Sequence, residues 1–227
     1  MNKTTLNLAA ISIFLMTFSI LLGPFIDLSP AVPAVATFAI LGIATFDSWS
    51  LEGRGGTLFL DLIGRFSPEY RERILHHEAG HFLVAHVIGV PVTGYTLSAW
   101  EAFKQKQKGL AGVTFDDVEV LSQFEKGAIT ARILERYYTI WMAGIAAETL
   151  VYENASGGAD DKNKLMGVLK SLGCSESVCN QKKRFSILQA KTLLENNWSA
   201  YQALVDIMRE RATVKECKEI LIEEGVI

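Results

Sequence analysis

The stretch Ile74-Leu75-His76-His77-Glu78-Ala79-Gly80-His81-Phe82-Leu83-Val84 carries the strongest signal in this chain. An α-helix repeats every 3.6 residues, so His77 and His81 project side by side from one face. Their imidazoles can supply two ligands to a metal ion. Glu78, rotated by one position, can reach water at that metal from the flank and take its proton. Gly80 and Ala79 are small and allow a second backbone to approach beside the histidines. The flanks suit a helix. Ser67 is a good N-cap and Pro68 a good first-turn residue, and Gly89-Val90-Pro91 supplies the stop. An amphipathic helix over 68–88 is expected.

A catalytic zinc commonly has three protein ligands and an open position. The chain has only four histidines. His76 points elsewhere on the helix, and His86 is five beyond His81, off the metal face. A carboxylate must therefore complete the set. Asp116, Asp117, Glu148, Asp160 and Asp161 all follow apolar or glycine-rich segments, and spacing does not choose among them. Metal, bound water and an adjacent base together are the chemistry of amide hydrolysis.

Downstream, Val92–Leu97 alternates weakly and reads as a strand, and Gly112-Val113-Thr114-Phe115 as a second. Between them Lys104, Lys106 and Lys108 interleave with glutamines, consistent with a strand edge or a flap. From about 127 to 151 the pattern is helical and apolar, with Arg132, Glu135, Arg136 and Glu148 marking it as a core helix rather than a membrane span. Asn154-Ala155-Ser156-Gly157-Gly158 is a turn, and Asp160 or Asp161 starts the next helix. Residues 174–179 read as a loop, followed by helices over 184–196, 199–211 and 213–223. Thr213 and Glu216 form a capping box at the start of the last one. The fold expected is mainly α with a small β element, over 68–227.

The N-terminal end has a different composition. Leu6 to Ile26 is a charge-free run of about 21 residues, long enough at 1.5 Å per residue to cross roughly 30 Å of hydrocarbon. Asp27-Leu28-Ser29-Pro30 reads as a turn, and Ala31 to Phe46 is a second charge-free run. The expectation is a transmembrane helical hairpin over 1–46 in the lipid bilayer, then a glycine-rich linker over 47–67. Arg54 and Arg65 after the second run place the main domain on the cytoplasmic side of an integral membrane protein.

A formal net charge of −3 supplies no electrostatic footprint for nucleic acid. No Gly-x-x-x-x-Gly-Lys-Ser/Thr loop exists to cradle a nucleotide phosphate. Three cysteines do not make a disulfide framework.

Taken in order, these segments resemble the peptidase domain of the FtsH-type (M41) membrane proteases. His77-Glu78-Ala79-Gly80-His81 is joined by Gly144-Ile145-Ala146-Ala147-Glu148, with Ile145 where the family usually has arginine. Ser156-Gly157-Gly158-Ala159-Asp160-Asp161 follows, and then a tail running from Leu204-Val205-Asp206 to Ile220-Leu221. The resemblance implies Zn2+ held by His77, His81 and Asp161, with Glu78 as catalytic base, in an M41-like helical metallopeptidase domain. It also implies a short form without the ATPase module, comparable to relatives in photosynthetic organisms, in a thylakoid or plasma membrane. On that basis the function expected is an ATP-independent, membrane-anchored zinc endopeptidase of unfolded or damaged polypeptides. It would form a homo-oligomer or associate with ATPase-bearing relatives. The alternative implied is a non-proteolytic, chaperone-like or regulatory subunit of membrane protease complexes.

Overall fold

The computed structural model describes residues 13–14, 16–26, 29, 31–36, 38, 67–104, 112–116, 123 and 130–226. The chain divides into two compact units, Met1–Leu60 and Asp61–Ile227. In the first unit, helical residues fall between 13 and 22 and between 31 and 38, with a short 3-10 turn at Gly23–Ile26. This corrects the expected transmembrane hairpin. Among the described residues no helix is long and apolar enough to cross a membrane. The bilayer partner, the membrane localisation and the cytoplasmic orientation that rested on the hairpin lose their support with it. The outer parts of both apolar runs, at 1–12 and 39–46, lie outside the described residues, as does the linker over 47–66.

The second unit is mainly α-helical with one small antiparallel sheet. Its central element is α1 (Pro68–Ile88). Ser67 Oγ accepts from the Tyr70 backbone N–H and opens the helix. Gly89, at φ 77°, closes it in the left-handed region that glycine adopts without penalty. The helix was expected to be amphipathic. Instead every residue from His77 to Ala85 is buried, the signature of a helix enclosed on all sides. α3 (Ala131–Tyr152) packs closest. A Cβ at Gly80 would stand 2.7 Å from Ala147 Cβ and 2.8 Å from the Ala143 carbonyl oxygen. The small side chain at 80 thus admits the α3 backbone beside the two histidines.

After α1 the chain forms β1 (Val92–Thr96), the short helix α2 (Ala99–Lys104) and β2 (Gly112–Phe115). The strands pair antiparallel, Val92 opposite Phe115 and Thr96 opposite Gly112, with an irregularity between Val92 and Gly94. α2 stands where an edge strand or flap was expected to begin. Ser98 Oγ accepts from the Glu101 N–H, and Glu101 Oε2 accepts from the Leu97 N–H. These two bonds start a helix that the lysine-glutamine pattern concealed. Lys106 and Lys108 lie outside the described residues.

Beyond α3 come α4 (Ala159–Ser171), α5 (Glu176–Asn196), α6 (Trp198–Arg209) and α7 (Val214–Glu223). α5 starts earlier than expected, because Ser175 Oγ accepts from the Val178 N–H and caps it within the segment read as a loop. The Thr213–Glu216 capping box is formed in full. The main core joins Phe82 and Leu83 of α1, Ile140 of α3, Leu194 of α5, Leu204 of α6 and Leu221 of α7, all fully buried. Each large side chain of this kind contributes about 1.5–3 kcal/mol relative to exposure. The histidines of α1 are thereby fixed in a rigid interior.

Candidate metal centre

His77 and His81 project together toward the first turn of α4. Their rings meet edge to face, with centroids 4.8 Å apart. Asp161 approaches from α4. Its Oδ2 lies 3.3 Å from His77 Nε2 and 3.6 Å from His81 Nε2. One ligand atom from each of the three residues falls within 4.8 Å of the others, a spacing that could hold a metal ion. Among the expected carboxylates that are described, only Asp161 shares with both histidines a cluster that could hold a metal ion. Asp160, its neighbour, is exposed. Asp116 follows β2, where its N–H donates to the Pro91 carbonyl. Asp117 lies outside the described residues. His76 Nδ1 is 2.8 Å from the Tyr201 hydroxyl, and so belongs to the α1–α6 contact.

The other ring nitrogens fix how the imidazoles present themselves. His81 Nδ1 lies 2.7 Å from the Ile140 carbonyl oxygen. A carbonyl only accepts, so Nδ1 carries the proton and Nε2 offers a lone pair. His77 Nδ1 lies 2.7 Å from Glu148 Oε1. The second oxygen of Glu148 accepts from Ser156 N–H at 2.9 Å and from the Ser156 hydroxyl at 3.3 Å. Gly157 N–H also donates to this carboxylate, at 3.2 Å. Glu148 thus binds one histidine and the turn that delivers Asp161. Sequence reasoning placed it only among candidate ligands. Its position was nonetheless visible: Ile140, Gly144 and Glu148 recur every four residues and line one face of α3. Gly144 sits between them because a Cβ there would fall 2.3 Å from His77 Nε2.

Two imidazole lone pairs and a carboxylate oxygen converging on one point repel unless a cation lies between them. The electrostatics report that demand. Burial, the largest influence on His77, lowers its pKa, but hydrogen bonds to Asp161 and Glu148 outweigh it and raise the group to about 10. Burial likewise pushes Asp161 up, yet His81 and His77 hold its carboxyl well below the usual range. Burial also raises Glu148, and its bonds to His77, Ser156 and Gly157 reverse the sign. The same negative surroundings would favour a metal cation at this point. Glu78 adds a second sign of fit. It is buried, and its Oε2 has no hydrogen-bond partner. An orphaned buried carboxylate oxygen is costly unless a ligand or water completes it. The donor set therefore suits a divalent cation.

No protein-family model matches the chain, and no curated protein matches it. This corrects the resemblance to the FtsH-type (M41) peptidases. The segments that carry it are short and scattered, and the middle one departs from the pattern at Ile145. Matches of that length do not establish membership. The ATPase-bearing partners, homo-oligomer, regulatory-subunit alternative and photosynthetic membrane drawn from the resemblance fall with it. The convergence of His77, His81 and Asp161 rests on the structure and is independent of the family.

Proposed function

We propose that this protein is a zinc-dependent endopeptidase, with His77, His81 and Asp161 as the metal ligands and Glu78 as the catalytic base. The observation that carries the reading is the convergence of three ligating atoms beside a buried glutamate oxygen that nothing else satisfies. Two histidines and one carboxylate are a donor set found in catalytic zinc sites. A zinc ion held there acidifies water and polarises a substrate carbonyl.

The chain's own groups do the rest. Glu148 and the Ile140 carbonyl hold the Nδ1 protons, so that both Nε2 atoms face the centre. Gly144 leaves the space that His77 Nε2 occupies. Glu78 accepts a proton from the attacking water at Oε2 and delivers it to the departing amine nitrogen. Its pKa is raised by burial, the largest influence, against the lowering effect of His77 and His81. A carboxylate raised in this way is a stronger base and a more effective donor on the return step. Glu78 lies on the helix that supplies both histidines, so base and ligands keep a fixed mutual geometry.

The test is Glu78→Gln. The variant should retain metal at the wild-type stoichiometry and lose cleavage of an unfolded polypeptide. Metal analysis beside a fluorogenic casein assay, with and without chelator, reads both quantities. Undiminished cleavage by Glu78→Gln would sink the proposed role.

A further inference from the structure

A second core cluster packs between α3, α4 and α5. It is built from Tyr138, Met142, Ile145, Leu165, Leu169 and Cys179, with Cys174 packed against it. Ser175 is the N-cap of α5, which makes Cys174 the residue before the cap and Cys179 the fourth residue of the helix. Side chains at these two positions meet across a helix start, in the arrangement known as the hydrophobic staple. Here the staple consists of two thiols. Cys179 Sγ lies 3.7 Å from the Cys174 carbonyl oxygen, so its sulfur sits over the partner residue. Both cysteines are free, Cys179 buried and Cys174 half-buried. Beside them stands Tyr138. Its hydroxyl is buried without a hydrogen-bond partner, and burial, with the adjacent Cys174, pushes it up to about 12. It is a buried hydroxyl in the same cluster as the two cysteines.

We propose that Cys174 and Cys179 are a redox dithiol that closes to a disulfide across the start of α5 on exposure to a peroxide. The half-buried Cys174 reacts first. Its thiolate sulfur attacks one peroxide oxygen, an S–O bond forms, the O–O bond breaks, and the leaving hydroxide becomes water with the proton that the thiol released. Tyr138 Oη–H donates to the negative sulfur or to the sulfenic oxygen. The Cys179 sulfur then attacks the Cys174 sulfur. The S–S bond forms, the S–O bond breaks, and the departing hydroxide takes the Cys179 proton and leaves as a second water. Two thiols lose two electrons, and one peroxide is reduced to two waters. A thiol reductant reverses the change by exchange. The short loop closed by this bond lies at the α4–α5 corner. Cys217, on α7, is outside the cluster; burial pushes its thiol up to about 11, so it remains a silent control.

The experiment treats the reduced full-length protein with hydrogen peroxide and follows intact mass and free thiols over time. Lys170 and Lys182 bracket both cysteines with no lysine or arginine between them, so one tryptic peptide carries the product. The expected result is loss of two hydrogens from that peptide, disappearance of the Cys174 thiol, and recovery of both on reduction. Cys217→Ser should behave as wild type. Tyr138→Phe should slow closure several-fold while leaving the end point the same. Cys179→Ser should stop at the sulfenic acid or a mixed disulfide on Cys174. Accumulation of sulfinic acid on wild-type Cys174, or a chain-to-chain disulfide as the main product, would overturn the proposal. Both readouts are made on the wild-type protein and do not depend on the variants folding.

Discussion

Glu148 Oε1 lies 2.7 Å from His77 Nδ1, and the same carboxylate accepts the backbone N–H groups of Ser156 and Gly157. One side chain therefore sets the direction of the His77 ring and anchors the turn before Asp161. Glu148→Gln should preserve the fold and weaken metal binding by about 10–100-fold, the usual effect of removing such a supporting partner. Glu148→Ala should go further and lower the melting temperature as well, since the backbone N–H groups of Ser156 and Gly157 lose their acceptor. Competition against a chromophoric chelator measures the first effect and calorimetry the second. Unchanged affinity in both variants would leave Glu148 with a structural role alone.

Asp161 and Asp160 are neighbours with opposite surroundings, one facing the histidines and the other exposed. Asp161→Ala should lose metal and hydrolysis together. Asp160→Asn should keep most of both. Equilibrium dialysis against zinc decides between them. A metal-replete Asp161→Ala protein would contradict the assigned ligand set.

Two glycines should respond differently to a single methyl group. Gly80→Ala drives a Cβ into Ala147 and the Ala143 carbonyl. Overpacking of this kind costs about 1–3 kcal/mol, seen as a lower denaturation midpoint. Gly144→Ala instead strikes His77 at Nε2, and should abolish metal uptake even at concentrations that restore the fold of other variants. Equal metal affinities for the two alanine proteins would refute this distinction.

A pH effect away from the centre follows from Glu72 on α1 and Arg209 at the end of α6, whose guanidinium donates to Glu72 at 3.0 and 3.2 Å. The Arg209 hydrogen bond is the leading cause of a Glu72 pKa below the ordinary 4.5. A depressed carboxyl contributes stability above its unfolded value and loses it as pH falls through the folded one. Both side chains are 42% exposed, so solvent screening limits the pair to a few tenths of a kcal/mol. Glu72→Gln should lower the melting temperature slightly at pH 7, and the difference should shrink as pH falls below the ordinary carboxylate range. A deficit that does not change with pH would mean that packing, and not charge, is responsible.

Much of the second unit was legible because its signals are local. Ser67-Pro68 and Gly89 bound α1 at the residues where the structure bounds it, and the Thr213–Glu216 box opens α7 as read. The histidine pair follows from helical periodicity alone. Choosing among five carboxylates was different, because it required knowing that Asp161 on α4 returns to α1 from 80 residues away. Periodicity carries no such information. Glu148 was seen as an acid but not as the partner of His77, since a helix position shows only which face it shares, not what meets that face. At the N-terminus, charge-free composition suggested span length, while the described helical residues are too few to cross a membrane.

α4 is the least embedded support of the centre. Only Leu165 and Leu169 are buried along it, and Gly158 opens it without a side-chain cap. Helices so lightly held open locally at a small fraction of the global unfolding free energy. His77 and His81, in the enclosed middle of α1, do not share that freedom. Under the proposed ligand set, the lifetime of a bound ion would be the lifetime of one fraying helical turn. Amide exchange at Asp161 to Leu165 should keep time with metal release, while the amides of α1 remain protected for far longer.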